Sequence, residues 1–334
     1  MDLPSPYLLF LGHASDELAA KTAKALFEWA PEKCIGQIAL PGCKVSLGLP
    51  HLSIKEAKNK GAQSLIIGTT APGGAIDPSW HPLLEDALKN GLHLINGLHE
   101  PLSQIPQIVS EANRLNKMLI DLRQASVPLP IGKGFKRPGK RLLTVGTDCS
   151  IGKMYTALCL TKSLQEQGVH ASFRATGQTG MMIAGSGIAV DAVIADFIAG
   201  AAELVSPPNK AEHWDIIEGQ GSIMHPSFSG VSLGLLHGSQ PDAIVMCHEP
   251  QRSHMRGLSH YPLPSLQTCL DLTLKLAKIT NPEVTCLGIS VNSSKLNPQD
   301  RKRTLNQIEQ ETGLTTIDPK IDISPLTKKV LTLC

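Results

Sequence analysis

Apolar and polar residues alternate along the first 125 residues in a way that predicts strands and helices in turn. Short apolar runs are typical of buried strands, and the segments between them carry apolar residues at helical spacing. The predicted strands and helices are 7–12, 15–29, 35–40, 54–60, 64–68, 83–89, 93–96, 102–116 and 118–121. Strict alternation of this kind indicates a parallel sheet covered by helices, so we expect an α/β domain over residues 1–127.

The second half of the chain repeats this alternation. Its predicted strands are 141–146, 170–175, 214–217, 243–247 and 285–291, and its predicted helices are 153–167 and 190–205. We therefore expect a second, larger α/β domain over residues 141–334. The segment between the domains, 128–140, is dense in proline, glycine and lysine, which is typical of an exposed linker. Its basic residues are either solvated or meet an anionic ligand.

The first strand of the second half leads into a segment with the composition of a phosphate-binding loop. From Arg141 to Lys153 the sequence reads RLLTVGTDCSIGK, so a glycine ends an apolar strand and Gly-Lys opens a helix. Glycine permits a sharp turn, main-chain amides can then point at anionic oxygens, and the lysine adds a positive charge. The residues expected to bind the phosphates of a cofactor are Gly146, Thr147, Asp148, Cys149, Ser150, Ile151, Gly152, Lys153 and Met154.

Two departures from the usual G-x-x-x-x-G-K-[ST] pattern bear on the chemistry. Gly146 lies one residue early, and Met154 occupies the position of the hydroxyl that normally holds Mg²⁺. A thioether is a weak ligand for so hard a cation. We therefore expect the loop to hold phosphate without ordinary metal-assisted hydrolysis. The alternative is a strand–turn–helix junction that needs its glycines and solvates its lysine.

Reactive side chains and glycines follow the other predicted strands of the second half. In a parallel sheet the carboxyl ends of the strands lie along one edge, so we expect these residues beside the phosphate loop. Glu218 and His248 are the candidates for moving a proton. For Glu218 the alternatives are a metal ligand and an acceptor for the backbone of the glycine loop, and for His248 the alternative is a hydrogen-bonded structural role. The candidate substrate contacts are Gly177, Thr179, Gly180, Arg252 and Arg256.

Metal binding and thiol catalysis are the less favoured interpretations. Cys247, His248, His254 and His260 are close in sequence, but no C-x-x-C or H-x-x-x-H spacing supports a tetrahedral zinc site, so we expect no metal. Cys149 is predicted near a helix N-terminus, which lowers the pKa of a thiol. Because no base partner accompanies it in sequence, packing is the favoured role.

Composition and charge limit the class of protein. Hydrophobic residues make up 42% of the chain and charged residues 18%, which excludes a disordered chain. The length of 334 residues suggests two domains. The formal net charge of +2 gives no reason to expect nucleic acid or a membrane surface as a partner. Eight scattered cysteines and the lack of a long apolar run lead us to expect a cytoplasmic protein without a signal peptide or a membrane span.

Several motifs resemble known families. GTDCSIGK and the later strand end IIEGQGS resemble dethiobiotin synthetase. The DgcN-like family is more similar still, through GTDCSIGKM, ATGQTGMMIAGSGIAVDAVIADFIAGAAE, DIIEGQGSIMHPSFSGVSLGLLHGSQPDA and GISVN. This resemblance implies a Rossmann-like parallel-sheet domain followed by a larger P-loop NTPase-like α/β domain. Carried over by position, it assigns the phosphate cradle to Gly146, Gly152 and Lys153, a strand-end carboxylate to Glu218 and, from the synthetase, base reading to Asn292.

The resemblance to the DgcN-like family also implies an activity. It is that of a D-glutamate N-acetyltransferase using acetyl-CoA, with a partner of the dipeptide-epimerase type that converts the acetylated product. Met154 agrees with this, because CoA offers a pyrophosphate and a 3′-phosphate to bind but no phosphoanhydride that must be cleaved. The alternatives are an ATP- and Mg²⁺-dependent carboxylate ligase or kinase, and a nucleotide-binding module without chemistry. We expect an acidic amino acid as substrate and a homo-oligomer.

Overall fold

The computed structural model describes residues 3–69, 72–124 and 128–333. They form two compact units, each of which is described separately here. Unit 1 contains residues 1–126 together with 181–189, and unit 2 contains residues 127–180 together with 190–334. The predicted domain boundary at residue 127 lies outside the described residues.

Unit 1 is built around a five-stranded parallel sheet in the order β2-β1-β3-β4-β5. Its strands are β1 (Tyr7–Phe10), β2 (Cys34–Ile38), β3 (Ser64–Ile67), β4 (His93–Asn96) and β5 (Leu119–Asp121). Its helices are α1 (Lys21–Trp29), α2 (Ile54–Asn59), α3 (His81–Lys89) and α4 (Pro106–Arg114). Strand residues such as Leu65 and Leu94 pack with helix residues such as Leu84 and Ile108 in one buried core. The predicted parallel sheet covered by helices is confirmed.

Two helices of unit 1 are shorter than the sequence predicts. The helix expected over 15–29 begins only at Lys21, because the Asp16 carboxylate closes a separate turn by accepting the Ala19 amide at 2.9 Å. The helix expected over 102–116 is divided into two parts. A 3₁₀ turn ends before Pro106, and α4 begins at Pro106. Proline has no N–H to donate and therefore fits the first turn of a helix better than its interior.

Unit 2 contains a six-stranded parallel sheet in the order β13-β12-β9-β6-β8-β7. The strands are β6 (Lys140–Gly146), β7 (Ala171–Arg174), β8 (Trp214–Ile217), β9 (Ala243–His248), β12 (Thr285–Val291) and β13 (Thr316–Ile317), and an antiparallel hairpin adds β10 (His254–Met255) and β11 (Leu258–Pro262). The helices are α5 (Lys153–Glu166), α7 (Ile198–Val205), α8 (Ser229–Ser239), α9 (Leu266–Ala277), α10 (Pro298–Thr312) and α11 (Ser324–Leu331). A further helix, α6 (Gln178–Ala184), begins in unit 2, and its residues from 181 onward belong to unit 1.

The strand order of unit 2 determines where a ligand is expected. From β6 the chain continues toward β7 at one edge of the sheet, whereas from β9 it continues toward β12 and β13 at the other edge. The neighbouring strands β6 and β9 therefore form a topological switch point. In open α/β sheets, ligands bind in the crevice at the carboxyl ends of such strands. Gly146 ends β6 and His248 ends β9, so the phosphate loop begins at this crevice.

The segments after β7 include helices that the glycine-rich sequence obscures. One of them, α6 (Gln178–Ala184), begins just after Gly177, because methionine and alanine favour a helix. The predicted helix over 190–205 is instead two 3₁₀ turns followed by α7 (Ile198–Val205). Ile194, between the turns, has an extended backbone with ψ 135° and is exposed, so the apolar residues of this segment do not share one helix face.

Part of the segment predicted to be an exposed linker is fixed to unit 2 by arginine side chains. Arg141 is 1% exposed, and its guanidinium donates to Ser206 Oγ at 2.9 Å and to four main-chain carbonyls, those of Arg137, Pro138, Gly139 and Pro207. The Ser206 hydroxyl in turn donates to Asp215 at 2.6 Å. Because these carbonyls belong largely to residues 137–139, a buried hydrogen-bond network holds the end of the predicted linker against the sheet.

The length and polarity of the helices and the state of the cysteines bear on the expectations drawn from composition. Within the parts of the chain that the structure covers, none of the helices is both long and apolar enough to cross a lipid bilayer. Seven cysteines in the described residues are free thiols, several of them buried.

The Arg141 network leads to a test of stability. Replacing Arg141 with Met should lower the free energy of unfolding by about 3 kcal/mol, since several buried acceptors lose their donor at once. Arg303→Met is the matched control, because Arg303 is 78% exposed and its ion pair is with Asp300 on the same helix; it should change stability by less than about 0.5 kcal/mol. Urea denaturation measures both. Equal effects of the two substitutions would contradict the network.

Candidate functional site

The phosphate loop connects β6 to α5 through a turn that requires unusual backbone angles. Ser150 has φ 52° and Gly152 has φ 107°, both in the left-handed region. At Gly146 a Cβ atom would lie 2.6 Å from Ile151 Cδ1, so glycine lets the Ile151 side chain pack against the end of the strand. Successive main-chain amides in such a turn form a concave site for an anion.

Lys153 begins α5 and is buried at the base of the loop. Its Nζ atom donates to the main-chain oxygen of Asp148 at 2.7 Å. Burial lowers the pKa of Lys153, because an ammonium group loses hydration there. A Cβ atom at Gly219 would lie 3.0 Å from Lys153 Cδ, so the lysine stem passes over the glycine that follows Glu218. Among the residues that the structure describes, this carbonyl is the one acceptor of the buried Lys153 ammonium, which fits a site that receives an anion.

The Asp148 carboxylate anchors the loop from within. It is completely buried and accepts from the Cys149 amide at 2.7 Å, from Arg252 Nη1 at 2.7 Å and from the Arg256 amide at 2.8 Å. Arg252 also donates to the Cys149 carbonyl at 2.6 Å and forms an ion pair with Glu249. The side chains of Asp148 and Arg252 are thus occupied by protein groups. This favours an anchoring role over the direct ligand contacts that the sequence predicts for them.

Arg256 differs from Arg252 in what its side chain contacts. Its amide, in the turn between β10 and β11, is fixed on Asp148, whereas its side chain is exposed. Within the described residues its guanidinium has no carboxylate partner. Arg256 therefore remains a candidate for binding an anionic group at the mouth of the site, as the sequence predicts.

Glu218 follows β8 and is buried beside the phosphate loop. One of its oxygens, Oε2, accepts from the amides of Thr176 and Gly177 at 3.0 and 3.1 Å. Burial raises the pKa of Glu218 to about 7, and the two amides and the charge of Lys153 partly offset this effect. A carboxyl group with a pKa near neutrality can both accept and donate a proton under ordinary conditions.

The glycine-rich segment makes room for Glu218. A Cβ atom at Gly180 would lie 2.3 Å from Glu218 Oε2, and a Cβ atom at Gly177 would lie 3.3 Å from Oε1. The Gly177 amide, expected from sequence to face a substrate, donates to Glu218 instead. Thr179 lies with Gly180 in the first turn of α6. These glycines therefore leave space for the Glu218 carboxylate, and the amide of Gly177 also donates a hydrogen bond to it.

His248 and Asn292 lie at the ends of neighbouring strands on the other side of the phosphate loop. His248 Nδ1 is 3.1 Å from Thr147 Oγ1, and the His248 carbonyl accepts from the Asn292 amide at 2.8 Å. Burial lowers the pKa of His248 to about 4, so its ring is neutral near pH 7 and is a weak base. The prediction that the strand ends gather beside the phosphate loop is confirmed, and Glu218 is the better placed proton acceptor.

One group of side chains has the composition of a metal site. Ligand atoms of Asp148, Cys149 and His225 lie within 4.8 Å of one another. Both ring nitrogens of His225 already have partners, since Nδ1 accepts from the Ser227 amide at 3.1 Å and Nε2 faces the Arg256 carbonyl at 3.0 Å. Burial raises the pKa of Cys149, contrary to the lowering expected near a helix N-terminus. This chemistry favours neither a metal ion nor a thiolate nucleophile here.

The sequence analysis missed three residues of this site: His225, Glu249 and Lys295. Glu249 pairs with both Arg252 and Lys295, and His225 supports the β10–β11 hairpin through the Arg256 carbonyl. Glu249 is adjacent to His248 in sequence, so its position after a strand was a usable signal. No local spacing connects His225 or Lys295 with the phosphate loop.

The fit between Gly180 and Glu218 leads to a test. Glycine to alanine inside a helix ordinarily stabilises it by up to about 1 kcal/mol, but at Gly180 the methyl group would displace Glu218, and overpacking costs about 1–3 kcal/mol. Gly180→Ala should therefore lower the melting temperature. Gly230→Ala in the first turn of α8 is the control, because nothing lies within 4 Å of its Cβ position. A Gly180→Ala protein as stable as the control would refute the close fit.

Comparisons with known proteins agree with this architecture. Residues 130–326 match the P-loop domain described as domain of unknown function DUF1611_C, and residues 38–125 match the Rossmann-like domain DUF1611_N. A crystal structure of a DUF1611 family protein from Anabaena variabilis superposes with a TM-score of 0.85 at 31% identity, covering 98% of this chain and 100% of that chain.

Two curated relatives match nearly the whole chain. A protein of Pseudoalteromonas sp. named D-glutamate N-acetyltransferase is 49% identical over 322 residues, which cover 96% of this chain and 97% of the relative. A protein of the same name from Tritonibacter scottomollicae is 48% identical over 317 residues, or 95% of each chain. The resemblance to the DgcN-like family is thereby confirmed. The chain belongs to the DUF1611 family, with its Rossmann-like and P-loop domains, and is an enzyme of the N-acetyltransferase class.

Proposed function

We propose that this enzyme transfers the acetyl group of acetyl-CoA to the amino group of D-glutamate. The observation that carries the proposal is the pair of relatives named D-glutamate N-acetyltransferase, which are about half identical along nearly their whole length. The geometry adds a loop suited to phosphate next to a buried carboxylate with a pKa of about 7. Anion binding and proton removal are the two capacities that this transfer needs.

The phosphate loop is the proposed binding site for the pyrophosphate of CoA. Main-chain amides of residues 147–152 and the ammonium group of Lys153 would neutralise its charge, as in other loops of this geometry. No bond of the pyrophosphate has to break during acetyl transfer, so the loop only holds and orients. Met154, with a thioether in place of a metal-binding hydroxyl, suits this use.

Glu218 is the proposed general base. The ammonium group of D-glutamate must lose a proton before its nitrogen can attack the acetyl carbonyl carbon, and the Glu218 carboxylate accepts that proton. The new C–N bond forms, the C–S bond breaks, and the departing thiolate of CoA takes up the second proton, which the nitrogen loses as it becomes an amide. Buried surroundings and two fixed amide donors keep the carboxylate in one orientation.

The carboxylates of the substrate require a cation that is free to bind them. Arg256 meets that requirement, because its main chain is fixed on Asp148 while its guanidinium is exposed. A guanidinium group binds a carboxylate through two parallel hydrogen bonds. The acetylated amino acid that leaves the enzyme is the kind of product that a partner epimerase of the dipeptide-epimerase type would convert.

The direct test is an assay of acetyl transfer with defined donors and acceptors. Release of CoA thiol together with N-acetylglutamate, identified by mass spectrometry, is expected with acetyl-CoA and D-glutamate and at a much lower rate with L-glutamate. Mg-ATP in place of acetyl-CoA should give no product. Consumption of ATP that depends on D-glutamate, without any thiol release, would overturn the proposal in favour of a ligase or kinase.

The role of Glu218 leads to a prediction on pH. Only the ionised form of Glu218 can accept a proton, so kcat/KM should rise with pH through an apparent pKa of about 7. Glu218→Gln should lower kcat/KM by about 100-fold or more and remove that inflection. Glu212→Gln, at an exposed position, is the control and should keep the profile. A Glu218→Gln enzyme with the wild-type inflection would exclude this residue as the base.

A further inference from the structure

Lys320 of unit 2 lies over the first turn of α5 and, among the described residues, forms no ion pair with a carboxylate. Lys320 follows β13, and its Nζ atom lies 5.1 Å from the ring centroid of Tyr155. Tyr155 is in the first turn of α5, two residues after Lys153, so Lys320 is held above the helix whose N-terminus borders the loop. An ammonium group over a tyrosine ring is attracted by the face of the ring.

The main chain that carries Lys320 is well anchored. The Lys320 amide donates to Asp318 Oδ1 at 2.9 Å, and the other oxygen of Asp318 accepts from the Ser293 hydroxyl. The thiol of Cys159 in α5 donates to the Pro319 carbonyl at 3.7 Å. The segment after β13 is therefore fixed both to α5 and to the segment after β12, next to Asn292.

The charges around the loop divide into paired and unpaired cations. Arg252 is paired with Asp148 and Glu249, and Lys295 is paired with Glu249. Among the residues that the structure describes, no carboxylate forms an ion pair with Lys320, and its side chain is exposed. Lys320 can therefore bind an anion from solution without giving up an existing salt bridge.

The order of the strands gives this cation a specific place. Glu218 follows β8 on one side of β6, whereas β9, β12 and β13, which leads to Lys320, lie on the other side. A ligand with its pyrophosphate on the loop and its reactive end toward Glu218 thus has its opposite end toward Lys320. In acetyl-CoA the thioester and the phosphorylated adenosine are at opposite ends of the pyrophosphate.

We propose that Lys320 binds the 3′-phosphate of CoA, held in position by the ring of Tyr155, and that this contact makes the enzyme select CoA donors. The inference rests on the proposed function, because it assigns a partner to a group of the proposed donor. ATP and dephospho-CoA both lack this phosphate. Lys320 is then a residue that determines donor specificity and takes no part in proton transfer.

The test compares acetyl-CoA with 3′-dephospho-acetyl-CoA as donors. The wild-type KM should be about tenfold lower for acetyl-CoA, the effect of one charge-assisted hydrogen bond to a phosphate. Lys320→Met, which keeps the apolar stem on Tyr155, should raise KM for acetyl-CoA toward that of the dephospho donor. Lys320→Arg should keep the preference. Lys329→Met, at an exposed position in the last turn of α11, is the matched control and should behave as wild type.

Other results of these assays would overturn either the role of Lys320 or the proposed function. Equal KM values for the two donors with the wild-type enzyme would overturn the proposal, and so would a Lys320→Met variant that is weakened equally with both donors. If neither donor supports transfer, the proposed function fails. Calorimetric titration with CoA and with dephospho-CoA then still decides the role of Lys320, because equal affinities of the wild-type protein for both would refute it.

Discussion

The ion pair between Asp148 and Arg252 is the interaction on which the site depends. Asp148 is inside the phosphate loop, and its carboxylate joins that loop to the segment after β9 and to the β10–β11 hairpin. A buried carboxylate without these donors would destabilise the fold by several kcal/mol, so the loop is shaped by the need to satisfy it. One result is that Arg256 has a fixed main chain and an exposed side chain. Under the proposed function, the position of the substrate-binding Arg256 and the geometry of the loop therefore depend on the same carboxylate.

Glu218 is another buried carboxylate of the site, and burial changes its pKa. Two amide donors orient this carboxylate but do not offset the loss of hydration, and its pKa therefore rises to about 7. A Cβ atom at Gly180 would lie 2.3 Å from Glu218 Oε2, and one at Gly177 would lie 2.5 Å from Gln220 Nε2 and 3.3 Å from Glu218 Oε1, so a side chain at either position would displace these groups. The glycine-rich motif of the sequence thereby makes room for the Glu218 carboxylate, beside the loop that is proposed to bind an anion.

Much of this architecture follows from the sequence. The strands at 214–217 and 285–291 have the predicted bounds, because their apolar runs are short and end in polar residues. The site was located through the rule that carboxyl ends of parallel strands share an edge. What the sequence could not provide was the partner of each charge, since Arg252 meets Asp148, and Lys320 meets Tyr155, across long separations in the chain. The predicted helix at 190–205 was wrong because apolar spacing does not reveal the extended backbone at Ile194.

The central claim is that the main-chain amides of the loop and Lys153 hold the pyrophosphate of the acetyl donor. Calorimetric titration of CoA into wild-type and Lys153→Met proteins tests it most directly, with pantetheine, which has no phosphate, as the comparison ligand. The account predicts that Lys153→Met weakens CoA binding by about tenfold or more and that pantetheine binds weakly to both proteins. Equal affinity of the two proteins for CoA, or equally tight binding of pantetheine, would contradict it.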